Sequence, residues 1–313
     1  MIQILHDTKI NFMKYRRYFY MFSLAVMLAT VAWLVVHGGP HWSVDFTGGT
    51  LMQVQTTKVV PADHVRQALD QAGYRGAEIQ ASGDGTEFLV RMKIQKVLDK
   101  DGKPKDPFTE MKKQLDTLEP GSNVQLRRVE AVGPKIGEEL RSKALWAVLL
   151  SLGAILLYVG IRYEFKFALG AVIALFHDVF AALGVICFLN REVSLTVIAA
   201  LLTLAGYSIN DTIVVFDRIR ERSKQLHKLS HEDMMNTAMN ETLSRTIITS
   251  LTVFLATLAL YLFGGEVIND FALCMLAGVV FGTYSSIYVA SGLALDIWLW
   301  LDRKKGIARA KAA

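Results

Sequence analysis

The sequence predicts a membrane α-helical protein with six transmembrane helices and one extracytoplasmic ferredoxin-like α+β domain. Three observations carry this. The chain has 313 residues and is 52% hydrophobic, too apolar for an ordinary soluble domain. Six apolar segments, at 19–36, 144–161, 167–189, 193–216, 246–263 and 271–300, approach or exceed the roughly 20 residues that a bilayer requires. Between the first and second lies one polar block, 38–142, whose pattern alternates strand and helix signals.

The loops set the orientation. Lys9, Lys14, Arg16 and Arg17 precede the first segment, and Arg162 and Lys166 occupy the loop at 162–166. Arg218, Arg220, Arg222, Lys224, Lys228 and the edge residue Arg245 lie in 217–245, and the tail carries Arg303, Lys304, Lys305, Arg309 and Lys311. The loop at 190–192 has only Arg191, and 264–270 has no Lys or Arg. The positive-inside rule therefore puts both termini in the cytoplasm. This gives a cytoplasmic N-terminus over 1–18, a first helix over 19–37, the extracytoplasmic domain over 38–142, a five-helix bundle over 143–300 with a cytoplasmic loop at 217–245, and a basic tail over 301–313. The first segment reads as an uncleaved anchor. Its apolar core exceeds the usual ~7–15 residues of a signal peptide, and no A-x-A-like site follows.

The net charge of +5 is distributed as loop charge and does not form a nucleic-acid surface. The two cysteines, Cys187 and Cys274, fall in apolar segments, so the exported domain has no disulfide framework. No metal-ligand spacing, phosphate-binding glycine loop or other cofactor motif appears.

Within 38–142, "WSVDFTGGTLMQVQTT" reads as a strand interrupted by Gly48 and Gly49. "PADHVRQALDQAGY" reads as a helix that starts near Pro61 and stops at Gly73. "AEIQASGDGTEFLVRMKI" reads as a hairpin around Gly83-Asp84-Gly85. The polar run "DKDGKPKD" is a loop, "PFTEMKKQLDTLEPG" a second helix, and "NVQLRRVEAVGP" a last strand. The order β-α-β-β-α-β is the split βαβ arrangement. That fold hosts many functions, and His41 and His64 lack any motif around them, so a binding or lever role fits better than catalysis. "DFTGG" is either a functional element or a glycine bulge in the strand.

The polar residues inside the apolar segments carry the functional signal. A charge near the bilayer centre costs at least ~2.5–3.5 kcal/mol on insertion scales. Asp211 lies about 9 Å to the cytoplasmic side of the midpoint of its segment, still within hydrocarbon. Thr203, Tyr207, Asn210 and Asp211 recur at i, i+4, i+7 and i+8, a polar face expected to point into the bundle. Gly170, Ala174, His177, Ala181 and Gly184 form a stripe on the third segment, with Asp178 beside it. Arg245, Thr249, Thr252, Ala256 and Ala259 form one on the fifth, and Gly278, Gly282, Ser285 and Gly292 one on the sixth. Small residues let helices approach closely, so these stripes are expected contacts.

Asp211 has two readings. One is a structural carboxylate paired with Arg245, whose long side chain reaches inward. The other is proton handling: burial disfavours the charged form and a nearby cation favours it, a balance that suits a proton carrier. Because a structural pair often stabilises little, proton handling is preferred. His177 and Asp178 are further candidates on the same path.

"VDFTGG", "VGP" at 132–134, "FHD" at 176–178, "GYSINDTIVVFDRIRE" and "SRTIITS" at 244–250, in this order, resemble the SecD/SecF family of the bacterial Sec protein translocase, on its SecF side. The match in motif order runs from about residue 42 to about 290. The resemblance implies half of a resistance–nodulation–division-like (RND-like) bundle that is not an enzyme and uses no cofactor. It implies a SecD-like partner, association with the Sec channel (SecY, SecE and SecG), contact with an unfolded preprotein chain and with membrane lipids, and a seat in the bacterial inner membrane. The proton-motive force would supply the energy, and Asp211 and Arg245 match the family's proton path. Asp45, Gly48, Gly49, Gly133 and Pro134 belong to the motifs that flank the exported domain. One proton crossing 100 mV yields about 2.3 kcal/mol, enough to bias a two-state movement more than tenfold.

Three other functions fit part of the sequence. An efflux half for small hydrophobic molecules explains the buried charges equally well, but a domain of about 105 residues offers little enclosed volume for a drug site. An intramembrane aspartyl protease using Asp178 and Asp211 lacks the Gly-x-Gly-Asp pattern, since "SIND" stands in its place. A scaffold without ion coupling would ignore collapse of the proton gradient.

Overall fold

A computed structural model of the chain describes residues 8–82, 85–92, 105–225 and 229–312. The tip of the expected hairpin (Gly83 and Asp84) and most of the polar run 99–106 lie outside the described residues. The chain divides into two compact units, Trp42–Leu145 and Met1–His41 with Trp146–Ala313.

The α+β unit contains α2 (Val44–Thr47), β1 (Gly49–Gln55), α3 (Ala62–Gln71), β2 (Glu78–Ser82), β3 (Glu87–Met92), α4 (Pro107–Leu118) and β4 (Gln125–Val132). The four strands pair antiparallel in the order β2-β3-β1-β4, the arrangement that β-α-β-β-α-β chain order produces. Alternation decides the faces: Met52, Val54, Phe88, Val90 and Met92 point to one side and bury against Val65, Ala68, Leu69, Met111 and Leu115 of the two helices. Each fully buried Leu or Phe contributes about 1.5–3 kcal/mol.

Local signals fix the helix ends. The Asp106 side chain accepts from the Thr109 amide at 3.0 Å and Pro107 opens α4, an N-cap followed by proline where no donor is lost. After α3, Gly73 N–H bonds Asp70 O at 3.1 Å and Tyr74 N–H bonds Leu69 O at 2.9 Å, the paired bonds of a Schellman stop.

One expectation fails here. Residues 42–48 are not strand: Ser43 caps a single helical turn, Val44–Thr47, and the strand begins only at Gly49. The register irregularity of β1 lies instead at Gln53/Val54 against β4. A capping serine two residues before Asp45 outweighs the β-branched composition, because its side chain satisfies an otherwise orphaned amide.

The helical unit contains α1 (Phe12–His37), most of α5 (Pro134–Arg162), α6 (Phe165–Phe188), α7 (Leu195–Gln225), α8 (His231–Phe263), α9 (Glu266–Ser285) and α10 (Ser291–Ala312). A π-helical turn, Ser286–Ala290, joins the last two. Six of these stretches are long and apolar enough to cross a membrane, with α9 and α10 forming one. Helices are required there because hydrocarbon offers no partner to a free backbone group. The most buried are α6, α7 and the α9–α10 stretch, with aromatic contacts such as Phe167–Phe216, 5.1 Å between ring centroids.

The segment 217–245, expected as a loop, is largely helical: α7 runs to Gln225 and α8 starts at His231 behind the Ser230 cap. Charge marks where a helix leaves the apolar phase and does not stop its hydrogen-bond ladder. Arg218 and Arg222 both pair with Glu241 there, at 2.7 and 2.5 Å, and tie the two extensions together. Asn236 and Asn240 of α8 accept from the amides of Met13 and Ile10, which satisfies donors near the free start of α1.

The stripes on the third and sixth segments are helix contacts. A Cβ at Gly170 would come 2.7 Å from Ala290 O, and one at Gly282 would lie 3.5 Å from Ser208. The fifth-segment stripe is different: Arg245, Thr252, Ala256 and Ala259 are exposed, and the buried stripe of α8 is Thr242, Thr246, Ser250 and Thr257. Runs of small and β-branched residues offer two nearly equal stripes, and only the packing selects one.

Candidate functional site

Helix α7 holds two polar centres three residues apart, at Asp211 and Ser208. Asp211 is 3% exposed. Ser250 Oγ of α8 donates to its Oδ2 at 3.1 Å, and Tyr207 OH, one turn earlier on α7, donates to Ser250 Oγ at 3.1 Å. Thr249 Oγ1 lies 3.4 Å from Oδ1, but its single proton is also within reach of the Arg245 and Thr246 carbonyls, each at 3.0 Å. Ser250 is thus the firm donor. A carboxylate has about four acceptor sites, so ionised Asp211 is sparsely solvated by protein. A protonated Asp211 could instead donate to Ser250, and the site supports both forms.

Arg245 is exposed, and among the described residues it makes no ion pair with Asp211; it acts as an electrostatic neighbour, one turn from Thr249. Asn210 and Thr203 are exposed as well, while Tyr207 is half-buried. The expected polar face therefore straddles the edge of α7, and of its four members only Asp211 and Tyr207 join the cluster.

The second centre is Asp178 of α6, wholly buried. His177 Nδ1 lies 2.9 Å from Oδ1, while Ser208 of α7 and Ser285 of α9 (2.7 Å) donate to Oδ2. His177 Nε2 meets Tyr284 OH at 2.9 Å, and Tyr284 OH meets Ser23 Oγ of α1 at 3.1 Å. Four helices meet on this chain of groups. Asp178 and Asp211 belong to separate clusters, facing α9 and α8 respectively, which is not the shared-proton geometry of a protease dyad.

In the α+β unit, the two motif segments meet. Gly49 has φ +145° and a Cβ there would strike Met92 O at 2.6 Å. Gly137, in the first turn of α5, passes so close to α2 that a Cβ would lie 2.9 Å from Gly48 N and 3.1 Å from Phe46 O. Gly133 and Pro134 start that helix, with Gly137 N–H bonded to Gly133 O at 3.0 Å. Asp45 sits in the first turn of α2, its amide bonded to Ser43 Oγ at 3.2 Å.

Sequence reasoning missed Ser250, Tyr284, Ser23 and Gly137. Hydroxyls spaced along an apolar helix were the available signal for the first, and the glycine three residues after "VGP" for the last.

A bundle of apolar helices with carboxylates enclosed between them, in a chain that also carries a small α+β unit, defines a multi-pass membrane protein with ionisable groups in its core. Residues 110–300 match the protein export membrane protein SecD/SecF C-terminal family, and residues 33–58 match the SecD/SecF GG motif. The chain belongs to the SecD/SecF family. It is 44% identical to the protein translocase subunit SecF of Gemmatimonas aurantiaca, over 96% of this chain and 92% of the relative. It is 42% identical to that of Vibrio alginolyticus, over 95% and 93%. Thermus thermophilus SecDF, solved as a translocon-associated membrane protein, superposes with a TM-score of 0.82 at 40% identity. That match covers 95% of this chain and 39% of the solved one, so the chain spans about two fifths of SecDF.

Proposed function

We infer that this chain is an accessory subunit of the protein-export machinery that uses the proton-motive force to help move preproteins across the membrane. The observation that carries the reading is Asp211: an acid buried between α7 and α8, held by hydroxyls that accept or donate equally well, with no cation bonded to it among the described residues. A fixed structural carboxylate would be expected to have a bonded counter-charge; a carrier needs both protonation states to be tolerable. Proton binding at Asp211 reverses the Ser250 hydrogen bond and removes the attraction to Arg245, which changes how α7 and α8 hold each other.

A SecD-like partner is supported by the relative in which both parts form one chain: this sequence matches 40% of its length, and the remainder would come from a second subunit. The Sec channel and the unfolded preprotein are the further partners this reading requires. An efflux half is not favoured, because the relatives are translocase subunits.

The test is Asp211→Asn in cells that depend on this chain and its partner. Precursors should accumulate as in a null strain while the variant reaches the membrane at normal levels. Normal proton-driven export in that variant would refute the assignment.

A further inference from the structure

The geometry points to a second proton-binding site in the bundle: the His177–Asp178 pair, loaded and unloaded through Tyr284 and Ser23. This extends the proton-driven reading and rests on it for its purpose.

The argument starts from charge. Asp178 is wholly buried, and among the described residues no Lys or Arg lies within ion-pair distance of it. With His177 neutral, the cluster carries an uncompensated negative charge in a medium where such a charge is poorly tolerated. One proton on the pair removes it. Whether that proton resides on the imidazole or the carboxyl, the pair binds it as a unit.

The donors and acceptors allow both states. In the unloaded state Ser23 donates to Tyr284, Tyr284 to His177 Nε2, and His177 Nδ1 to Asp178. When a proton reaches Ser23, each member passes its own proton one place inward. The result is one proton added to the pair, with Tyr284 and Ser23 again neutral and the outer bonds reversed. The bonds from Ser23 to Tyr284, Tyr284 to His177 and His177 to Asp178 persist in both directions, with only the donor and acceptor roles of the outer two exchanged.

The placement supports this order. Tyr284 and Ser285 are consecutive and meet the consecutive His177 and Asp178, immediately before the π-helical turn Ser286–Ala290. Such turns concentrate at functional sites. Beyond Ser23, one turn toward the start of α1, Tyr20 donates to Asp296 at 3.1 Å, and Asp296 pairs with Arg16 at 3.1 Å. Ser23, Tyr20 and Arg16 thus share one face of α1, with the last two bonded to Asp296.

The groups facing the pair are Ser208 from α7, Tyr284 and Ser285 from α9 and, through Tyr284, Ser23 from α1. Asp211 on α7 is engaged by α8, and Asp296 on α10 by Arg16 and Tyr20. Tyr284 is therefore the titratable side chain through which protons reach the pair.

The test uses the full chain in lipid nanodiscs, with ¹⁵N-labelled histidine read by NMR and carboxyl groups by infrared difference spectroscopy over a pH titration. His177, assigned by loss of its signal in His177→Gln, should change protonation or tautomer, or Asp178 should show a carboxyl band that Asp178→Asn removes. Asp211→Asn should leave these changes in place. Tyr284→Phe, which keeps the ring but removes the hydroxyl from the relay, should slow proton exchange at His177 by about tenfold or more, a barrier rise of about 1.4 kcal/mol. If neither residue of the pair changes state while the protein stays folded, the site does not exist. Unaltered exchange in Tyr284→Phe would overturn the route. Because the signals are read in Asp211→Asn as well, failure of the Asp211 assignment is seen separately, as export that survives that variant.

Discussion

Ser250 Oγ donates to Asp211 Oδ2 at 3.1 Å across the contact of α7 and α8, and Tyr207 in turn donates to Ser250. A hydrogen bond to a charged group contributes about 1.5–3 kcal/mol, and among the described residues it is the one firm bond that the carboxylate has. Ser250→Ala should therefore lower the rate of proton-driven export by about tenfold or more, whereas Ser250→Thr, which keeps the hydroxyl, should stay near wild type. Precursor-processing kinetics in cells would measure both. Equal rates in Ser250→Ala and wild type would show that the hydroxyl is not part of the switch.

Gly137 and Gly48 make the second prediction. The atoms that a Cβ at Gly137 would meet are backbone, at 2.9 and 3.1 Å, and backbone cannot swing away as a side chain can. Gly137→Ala should destabilise the packing of α2 on α5 by about 1–3 kcal/mol, the usual cost of overpacking. Gly133→Ala meets only Ile136 Cδ1 at 3.9 Å and should be mild. Hydrogen exchange of the β1 amides in the full chain would separate the two.

These two sites show what was legible in the sequence. Run lengths revealed the membrane helices, and the order of strand and helix signals revealed the ferredoxin-like unit. Asp211 stood out because an acid in an apolar run is conspicuous by itself. Its partner was not visible, since the choice between the stripe of Arg245 and Thr252 and the stripe of Thr246 and Ser250 depends on helix rotation, which packing decides. Gly137 was hidden for a similar reason. A glycine in a helix reads as a weak point until the backbone that crosses it is known.

Lys58, His64 and Glu119 join the end of α4 to the start of α3 and the loop after β1. Glu119 accepts from Lys58 Nζ at 2.8 Å and meets His64 Nδ1 at 2.7 Å. The bond from Lys58, and then that from His64, holds the Glu119 carboxyl below the ordinary glutamate value. A carboxyl lowered on folding adds stability above its unfolded-state value and loses it as pH falls through the lowered folded value. Wild type should thus exceed Glu119→Gln in stability at neutral pH, and the gap should close in acid. Because Glu119 is only partly buried and its partners Lys58 and His64 are about two fifths exposed, the gap should be small. Protease resistance of the α+β unit across pH would show it, and a gap that widened in acid would contradict the assignment.

The last prediction contrasts glycines that share one helical environment but differ in what lies against them. At Gly278 of α9 a Cβ would fall onto the Leu204 side chain of α7, while at Gly153 and Gly160 of α5 nothing lies within 4 Å. Gly278→Ala forces Leu204, fully buried, to move in a region already packed to interior density. The same shift would carry Ser285, seven residues on, away from Asp178. The expected cost is about 1–3 kcal/mol, with a parallel loss of the His177–Asp178 signals. Gly153→Ala and Gly160→Ala replace a poor helix former with the best one, worth about 1 kcal/mol in an open helix, and should be neutral or stabilising in the chain by itself. Thermal unfolding in detergent compares the three. If Gly153→Ala is neutral alone but impairs export, the open face of α5 is one that a partner covers.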